Sequence, residues 1–187
     1  MGLDMYLSRR TYVQRWDHQR DEYKYSVTVT RGGKPVTNIR SENITYITER
    51  VGYWRKANQI HSWFVKNVQD DKDDCDEYHV SLEQLQELLD AVNKVLESIE
   101  LTSCPIEDGQ TIDCATGKWT SNIVDGEIVV DTAVCEELLP AASGFFFGST
   151  EYNSWYVEDL KDTKKILEDC LSWDNSEWPD YLYQASW

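Results

Sequence analysis

The sequence is poor in positive charge and has no long apolar run. Its 187 residues include 18 Lys and Arg against 34 Asp and Glu, a formal net charge of −16. Because such a field repels phosphate backbones, the composition argues against direct nucleic-acid binding. No apolar stretch approaches the roughly 20 residues of a membrane-spanning helix, and the N-terminal residues lack the pattern of a secretion signal. We therefore expect a cytoplasmic protein that contacts no membrane.

The sequence also has few of the patterns that bind metals or carry out catalysis. Its five cysteines are odd in number and form no Cys-x-x-Cys pair, which argues against a disulfide framework and a zinc ribbon. Six acids fall within residues 70–77, but the glycine and terminal Glu of a calcium loop are misplaced. The common hydrolase, zinc-protease and dinucleotide motifs are absent. We therefore predict no metal, no cofactor and no catalytic residue.

What is present predicts a single α+β domain over residues 1–187. The hydrophobic share of 41% and the charged share of 28% are typical of a globular protein. We expect a small, mostly antiparallel sheet packed with three main helices, plus an inserted β-hairpin. Period-2 alternation predicts a strand over residues 2–8. Residues 23–31, before a Gly32-Gly33 turn, and residues 44–47 also favour strands.

Three stretches have the spacing of amphipathic helices. The first is predicted over residues 53–68, where apolar residues recur every three or four positions. A second begins at the capping box of Ser81 and Gln84 and ends near Ile99. A third is predicted over residues 152–172.

The remaining segments are turn-rich or aromatic. Within residues 101–139, Asp125-Gly126 lies between two apolar runs and predicts a hairpin turn, so we interpret this segment as an inserted hairpin or flap. Residues 143–150 predict a short strand whose three phenylalanines must point to both faces. The tail, residues 175–187, is expected to dock on the body or on a partner. Its aromatic residues include Trp178, Tyr181, Tyr183 and Trp187.

The first candidate site lies near the start of the first predicted helix. Arg50, Arg55 and Lys56 form a small cationic group there, and helix amides and the helix dipole favour an anion at such a position. One helical stripe would offer an aromatic plane, an amide and an imidazole to a planar ligand. Its members are Trp54, Asn58 and His61. The same spacing fits a core tryptophan and a hydrogen-bonded core histidine, so both interpretations stay open.

The second candidate site is the aromatic block that ends at Tyr152. Gly148, Ser149 and Thr150 open the third predicted helix, and either hydroxyl can cap it. Exposed amides and two hydroxyls also suit a phosphate. The lysine and the glycine spacing of a P-loop are absent. Capping and ligand binding are both compatible with this pattern.

Four blocks of the sequence resemble a family of small uncharacterised phage and prophage proteins. The blocks are residues 1–7 (MGLDMYL), residues 53–64 (YWRKANQIHSWF), Cys75 with Tyr78, and residues 143–152 (SGFFFGSTEY). Some relatives in that family carry the label phosphoglycerate kinase. That label does not fit here, because such a kinase is much longer and this chain contains none of its phosphate-binding motifs. The resemblance implies either capture of a nucleotide-derived immune signal or coverage of a host protein's active surface. It implies no catalytic residue.

These observations lead to one main hypothesis and two alternatives. The main hypothesis is a non-catalytic binding protein that sequesters a small, planar, anionic, nucleotide-like molecule in a counter-defence role. Its binding residues would be Trp54, Arg55, Lys56, Asn58, His61, Gly148, Ser149, Thr150 and Tyr152. One alternative is an acidic inhibitor, or nucleic-acid mimic, that binds a host protein. The other is an enzyme that acts on a nucleotide-like metabolite, with His61 as general acid or base. A homo-oligomer is compatible with all three.

Overall fold

The centre of the structure is a four-stranded antiparallel sheet in the order β4-β1-β8-β5. The computed structural model describes residues 2–144, 147–176 and 179–187. Its strands are β1 (Asp4–Tyr12), β2 (Thr30–Arg31), β3 (Lys34–Pro35), β4 (Tyr46–Arg55), β5 (Tyr78–Val80), β6 (Leu101–Ile112), β7 (Trp119–Val129) and β8 (Asp180–Ser186). Its helices are α1 (Asn58–Asn67), α2 (Leu82–Ser98), α3 (Ala133–Leu138) and α4 (Ser154–Ser172). The predicted α+β class, with its mostly antiparallel sheet and added hairpin, is confirmed.

One face of the sheet forms the core with α1, α2 and α4. Leu3, Met5 and Leu7 are fully buried, as the alternation of the first strand predicted. The C-terminal tail supplies the neighbouring strand β8, and its Tyr181 and Tyr183 are also buried in the core. Docking of the tail on the body is therefore confirmed for these residues, whereas Trp178 lies outside the described residues.

The first helix is shorter than predicted, because residues 53–55 belong to β4. The run from Tyr46 is rich in β-branched and aromatic residues, which favour a pleated strand, and it pairs along β1 in an antiparallel register. Gly52 allows α4 to lie against this strand, since a Cβ at Gly52 would be 2.9 Å from the Cγ2 atom of Ile166. Helix α1 begins only at Asn58.

The other two predicted helices are confirmed. Helix α2 has the expected capping box, in which the Ser81 hydroxyl accepts from the Gln84 amide at 3.1 Å and the Gln84 side chain accepts from the Ser81 amide at 2.9 Å. Helix α4 covers nearly the predicted range but starts at Ser154, with Asn153 as its cap. The sequence did not predict the short α3. Throughout the described ranges, every helix is too short or too polar to traverse a lipid bilayer.

The inserted hairpin consists of β6 and β7, but its turn was predicted in the wrong place. Asp125 and Gly126 lie inside β7, opposite Pro105 and Cys104. Gly126 leaves space for the Ile106 side chain, because a Cβ at Gly126 would lie 2.5 Å from the Cδ1 atom of Ile106. The turn lies at residues 113–118, where the Asp113 carboxylate accepts hydrogen bonds from the Ala115 amide and the Thr116 hydroxyl.

Two predicted strands are wrong or much shorter. Of residues 23–31, only Thr30–Arg31 form a strand, paired with Lys34–Pro35 across the predicted glycine turn. The described part of residues 143–150 forms no strand, and Phe145 and Phe146 lie outside the described residues. The Asn58 side chain donates hydrogen bonds to the backbone carbonyls of Phe147 and Ser149. These carbonyls are therefore satisfied without a neighbouring strand.

Candidate ligand-binding cleft

The two sequence blocks meet at one cleft with a volume of about 830 Å³. Its walls are the β4–α1 junction, the loop at residues 148–151, the start of α4 and residues 107–109 of β6. A cleft of this size is within the range of small-molecule sites, roughly 300–1,000 Å³. The structure therefore brings Arg55, Lys56 and Asn58 together with Gly148, Ser149 and Thr150, as the main hypothesis requires.

Asn58 joins the two blocks. Its Oδ1 atom accepts from the Ala142 amide at 2.9 Å, and its Nδ2 atom donates to the carbonyl oxygens of Phe147 at 3.0 Å and Ser149 at 2.8 Å. The side chain is buried, so water does not compete well for these bonds. Asn58 therefore positions the loop and has little hydrogen-bonding capacity left for a ligand.

Arg55 and Lys56 supply the positive charge of the cleft. Both are exposed, and neither belongs to an ion pair among the residues that the structure describes. Lys56 has a φ of 63°, an unfavourable value for a residue with a side chain. Its amide donates to the Leu3 carbonyl at 2.8 Å and its carbonyl accepts from the Asn58 amide at 2.8 Å. These bonds hold the bend that turns the chain from β4 into α1.

Carboxyl groups outnumber the cations in the cleft. They belong to Glu107, Asp108, Glu151, Glu158, Asp159 and Asp162. Asp159 is partly buried, and this burial raises its pKa to about 6, against the lowering effect of a hydrogen bond from Gln59 at 3.1 Å. Since only one region of the cleft is cationic, a ligand with several negative charges would be repelled by the rest of the lining. Hydrogen-bond donors on the ligand would suit the carboxylates.

The loop before α4 does not cap the helix in the predicted way. Asn153 is the cap, and its Oδ1 atom accepts from the amides of Trp155 at 3.0 Å and Tyr156 at 3.4 Å. The Ser149 hydroxyl accepts from the Glu151 amide at 3.1 Å and closes a local turn. The expectation that Ser149 or Thr150 caps α4 is therefore wrong, because the helix starts several residues later. Two of its first amides are already occupied and are not free for a phosphate.

His61 is a hydrogen-bonded core residue. It is 1% exposed, with Nδ1 at 2.8 Å from the Tyr183 hydroxyl and Nε2 at 3.0 Å from an Asp73 carboxylate oxygen. Burial lowers the pKa of His61, although Asp73 acts in the opposite direction. Burial also raises the pKa of Tyr183, so its hydroxyl keeps its proton and can donate to Nδ1. The neutral imidazole then donates from Nε2 to Asp73, which satisfies both nitrogens.

Trp54 and Tyr152 also lie outside the cleft lining. Trp54 is 3% exposed, and its Nε1 atom donates to the Thr163 hydroxyl at 2.8 Å inside the core. Because β4 alternates its side chains, Trp54 faces the core while Arg55 faces out. Tyr152 packs against the Tyr156 ring, with centroids 4.9 Å apart, and its hydroxyl accepts from the Ala141 amide. Roles for Trp54, His61 and Tyr152 in direct ligand contact are therefore corrected to structural ones.

Several residues that line the cleft were not predicted from the sequence. Trp155 is the main one, with 52% of its surface exposed at the start of α4. Its signal was a large aromatic ring next to Tyr156, at a helical position that points away from the core. Asp159 and Gln59 were also missed, because nothing in a single sequence shows that α1 and α4 approach each other there.

All five cysteines are described, and each is an unpaired thiol. Among the described residues, no three His, Cys, Asp or Glu side chains are grouped so that they could coordinate a metal ion. Comparison of the chain with protein-family models, with curated proteins and with solved structures gave no match.

Proposed function

We propose that the protein is a non-catalytic binding protein that sequesters a small nucleotide-like molecule in the cleft. The observation that carries this proposal is the convergence of Arg55, Lys56 and the exposed Trp155 ring on one concave surface, opposite a set of carboxylates. Such a surface has separate partners for an anionic group, a flat ring and hydrogen-bond donors. A nucleotide contains all three.

Each part of the ligand has a partner in the cleft. Arg55 and Lys56 would bind a phosphate through charge-assisted hydrogen bonds. Trp155 would stack on the base and takes the place that the sequence analysis gave to Trp54. Carboxylates of α4, such as those of Glu158 and Asp162, would accept hydrogen bonds from the amino groups of the base. Because carboxylates are in the majority, we expect nucleotides with one exposed phosphate to bind more tightly than triphosphates.

Sequestration without turnover is supported by the location of His61. The imidazole is enclosed by the rings of Phe147, Tyr183 and Trp187, with centroids 5.2–6.3 Å away, and it is used in the core. A buried histidine with both nitrogens satisfied is a poor general base for a ligand in a separate cleft. The resemblance of the sequence blocks to phage and prophage proteins makes capture of a host immune signal the biological role that we propose.

Titration calorimetry against nucleoside mono-, di- and triphosphates, cyclic dinucleotides and ADP-ribose derivatives tests the proposal. We expect at least one of them to bind at micromolar Kd, about −8 kcal/mol, and Arg55→Ala and Trp155→Ala each to weaken it about tenfold or more. Trp119→Ala is the matched control, because that ring is 65% exposed on the hairpin and does not line the cleft. No binding by any ligand in the panel, or wild-type affinity in both cleft variants, would contradict the proposal.

A second candidate function is an enzyme that acts on the same ligand class. The observation that favours it is Asp159, whose raised pKa would let the carboxyl group hold a proton near neutrality and act as a general acid in place of His61. Chromatography of the ligand after prolonged incubation distinguishes the two functions. Intact ligand supports sequestration, whereas product that disappears in Asp159→Asn supports catalysis.

A further inference from the structure

The charge of the chain is divided between two regions. Residues 1–56 contain eleven of the 18 Lys and Arg and six of the 34 Asp and Glu, a net charge of +5. Residues 57–187 contain seven Lys and Arg and 28 Asp and Glu, a net charge of −21. The first region can therefore attract phosphate at short range, within about 10 Å at 0.1 M salt, although the chain as a whole repels it.

The positive region forms one edge of the sheet. Strand β4 is the edge strand, β1 is its neighbour, and residues 13–45 connect them. Met5 and Leu7 point to the core, so alternation places Tyr6 and Tyr12 on the opposite face. Across the register, Tyr6 is paired with Tyr53 and Tyr12 with Tyr46. Four tyrosines therefore share the outer face of two adjacent strands.

These rings are accessible. Tyr12, Tyr46 and Tyr53 are 42–47% exposed, and Trp16 beside them is 48% exposed. The centroids of the Tyr12 and Tyr46 rings are 5.3 Å apart, those of Tyr6 and Tyr53 are 5.5 Å apart, and the Trp16 indole donates to the Tyr12 hydroxyl at 2.9 Å. Tyr6 is partly buried. The four tyrosines form two aromatic platforms on one surface.

Each platform has an arginine. The Arg50 guanidinium lies over the Tyr6 ring at 4.9 Å, and that of Arg10 lies over the Tyr46 ring at 5.7 Å. Arg10 also pairs with Glu77 at 2.6 Å, beside β5, whereas Arg50 belongs to no ion pair formed within the described residues. Acidic groups such as Glu77 and Asp180 thus border the platforms on the β8 and β5 side. The Asp4 carboxylate accepts a hydrogen bond from the Tyr53 hydroxyl at the start of β1, so the face is open to an anion around Arg50.

We infer that this outer face binds single-stranded nucleic acid across β4 and β1. Aromatic rings on a sheet stack on unpaired bases, and arginines beside them neutralise the backbone. Tyr6 and Tyr12 are six residues apart in one strand, about 20 Å, so the two platforms can serve bases several nucleotides apart. A duplex keeps its bases stacked in pairs and cannot use the rings in this way. Arg55, which lines the cleft, also lies at the end of this face, opposite Asp4 and near Tyr53. Tyr12, Tyr46 and Arg50 do not line the cleft, so variants at these residues test the inference separately from the proposed function.

Fluorescence anisotropy with labelled oligothymidine and oligouridine of about 16 nucleotides and with a duplex of equal length tests the inference. At about 50 mM salt we expect the single strands to bind more tightly than the duplex, and the affinity to fall as salt increases. Tyr12→Ala and Tyr46→Ala should each weaken binding about 5- to 100-fold, while Tyr46→Phe should keep it. Arg50→Ala should reduce the slope of log affinity against log salt by about 0.7.

Trp119→Ala and Lys161→Ala are the controls, because they remove an exposed ring and an exposed cation elsewhere. Circular dichroism and the urea midpoint of each variant report whether it has folded. No binding at low salt, equal affinity for the duplex, or unchanged affinity in folded Tyr12→Ala and Tyr46→Ala would overturn the inference. It would also be overturned if the chain self-associates through this face, seen in sedimentation as a mass increase without oligonucleotide that Tyr12→Ala abolishes.

Discussion

Trp54 and Arg55 are neighbours in the chain and belong to different regions of the molecule. Trp54 lies in the buried polar cluster, which we define as Trp54, His61, Thr163 and Tyr183, where each polar side chain has a partner inside the protein. Arg55 lies in the cleft, where its charge has no partner among the described residues. The cluster maintains the fold, and the cleft holds the groups that we propose bind a ligand.

The difference follows from secondary structure. In a helix over residues 53–68, Trp54, Asn58 and His61 would share one stripe with the nearby cations beside them. In strand β4, adjacent side chains point to opposite faces, so Trp54 goes to the core and Arg55 does not. A change from helix to strand over three residues thus separates ligand-binding candidates from core residues.

The largest difference between the two regions should be seen when the stability of Trp54→Ala is compared with that of Arg55→Ala. Removing the buried indole leaves a cavity and removes the hydrogen bond that the Thr163 hydroxyl accepts, although that hydroxyl still donates to the Asp159 carbonyl. We therefore expect the free energy of unfolding to fall by about 3–5 kcal/mol. Arg55→Ala should change it by less than about 0.5 kcal/mol. Urea denaturation gives both values. A loss in Arg55→Ala that approaches the loss in Trp54→Ala would show that Arg55 belongs to the fold and not to the cleft.

Asn58→Ala should have the next largest effect, because Asn58 touches both regions. It would leave the Ala142 amide and the carbonyls of Phe147 and Ser149 without their partner, and partial hydration would limit the loss to about 2–3 kcal/mol. Hydrogen exchange at Ala142 should also accelerate. Asn67→Ala is the matched control, since the amide of Asn67 makes one exposed bond to the Trp63 carbonyl. Unchanged exchange at Ala142 would refute the role of Asn58 in holding the loop.

Asp159→Asn should have the smallest effect, with the opposite sign. The folded protein raises the pKa of Asp159 to about 6, so between pH ~4 and ~6 the folded state binds more protons at this site than the unfolded state. Its contribution to stability therefore falls as pH rises through that window. Asparagine keeps an acceptor for Gln59 and removes the buried charge, so stability at pH 7 should rise by about 1 kcal/mol.

The pH dependence of the wild-type and Asp159→Asn unfolding free energies tests this sign. His61 contributes the reverse dependence in both proteins, because burial lowers its pKa and its contribution is lost as pH falls below about 6.5. It cancels in the difference between the two curves. A difference that does not change between pH ~4 and ~6 would show that Asp159 is not perturbed by the cleft.

Local signals predicted the parts of the fold that local chemistry controls. The capping box at Ser81, the alternation of Leu3, Met5 and Leu7, and the glycine turn after Arg31 all appear as predicted. The Asp125-Gly126 turn failed because Gly126 makes room for Ile106 across the hairpin. That contact joins residues far apart in sequence, and a local pattern cannot contain it.

The cleft was predicted only in part, because it also depends on contacts between residues that are far apart in the sequence. Residues in the two distinctive blocks, such as Lys56 and Ser149, do line it. Trp155, Asp159 and Gln59 were not identified, because their importance depends on the approach of α4 to α1. Trp54 and His61 were predicted to contact a ligand but are buried, because aromatic residues with polar atoms have the same sequence pattern in a core as in a binding site.

By itself the sequence determined the α+β class, the main helices and the two blocks that form the cleft. These follow from side-chain periodicity and from caps and turns, which act over a few residues. Only the tertiary structure decided which polar side chains are satisfied inside and which stay exposed in the cleft. That choice depends on long-range contacts such as those of Asn58 with residues 142–149, because a buried polar group is stable only where a partner from elsewhere in the chain meets it.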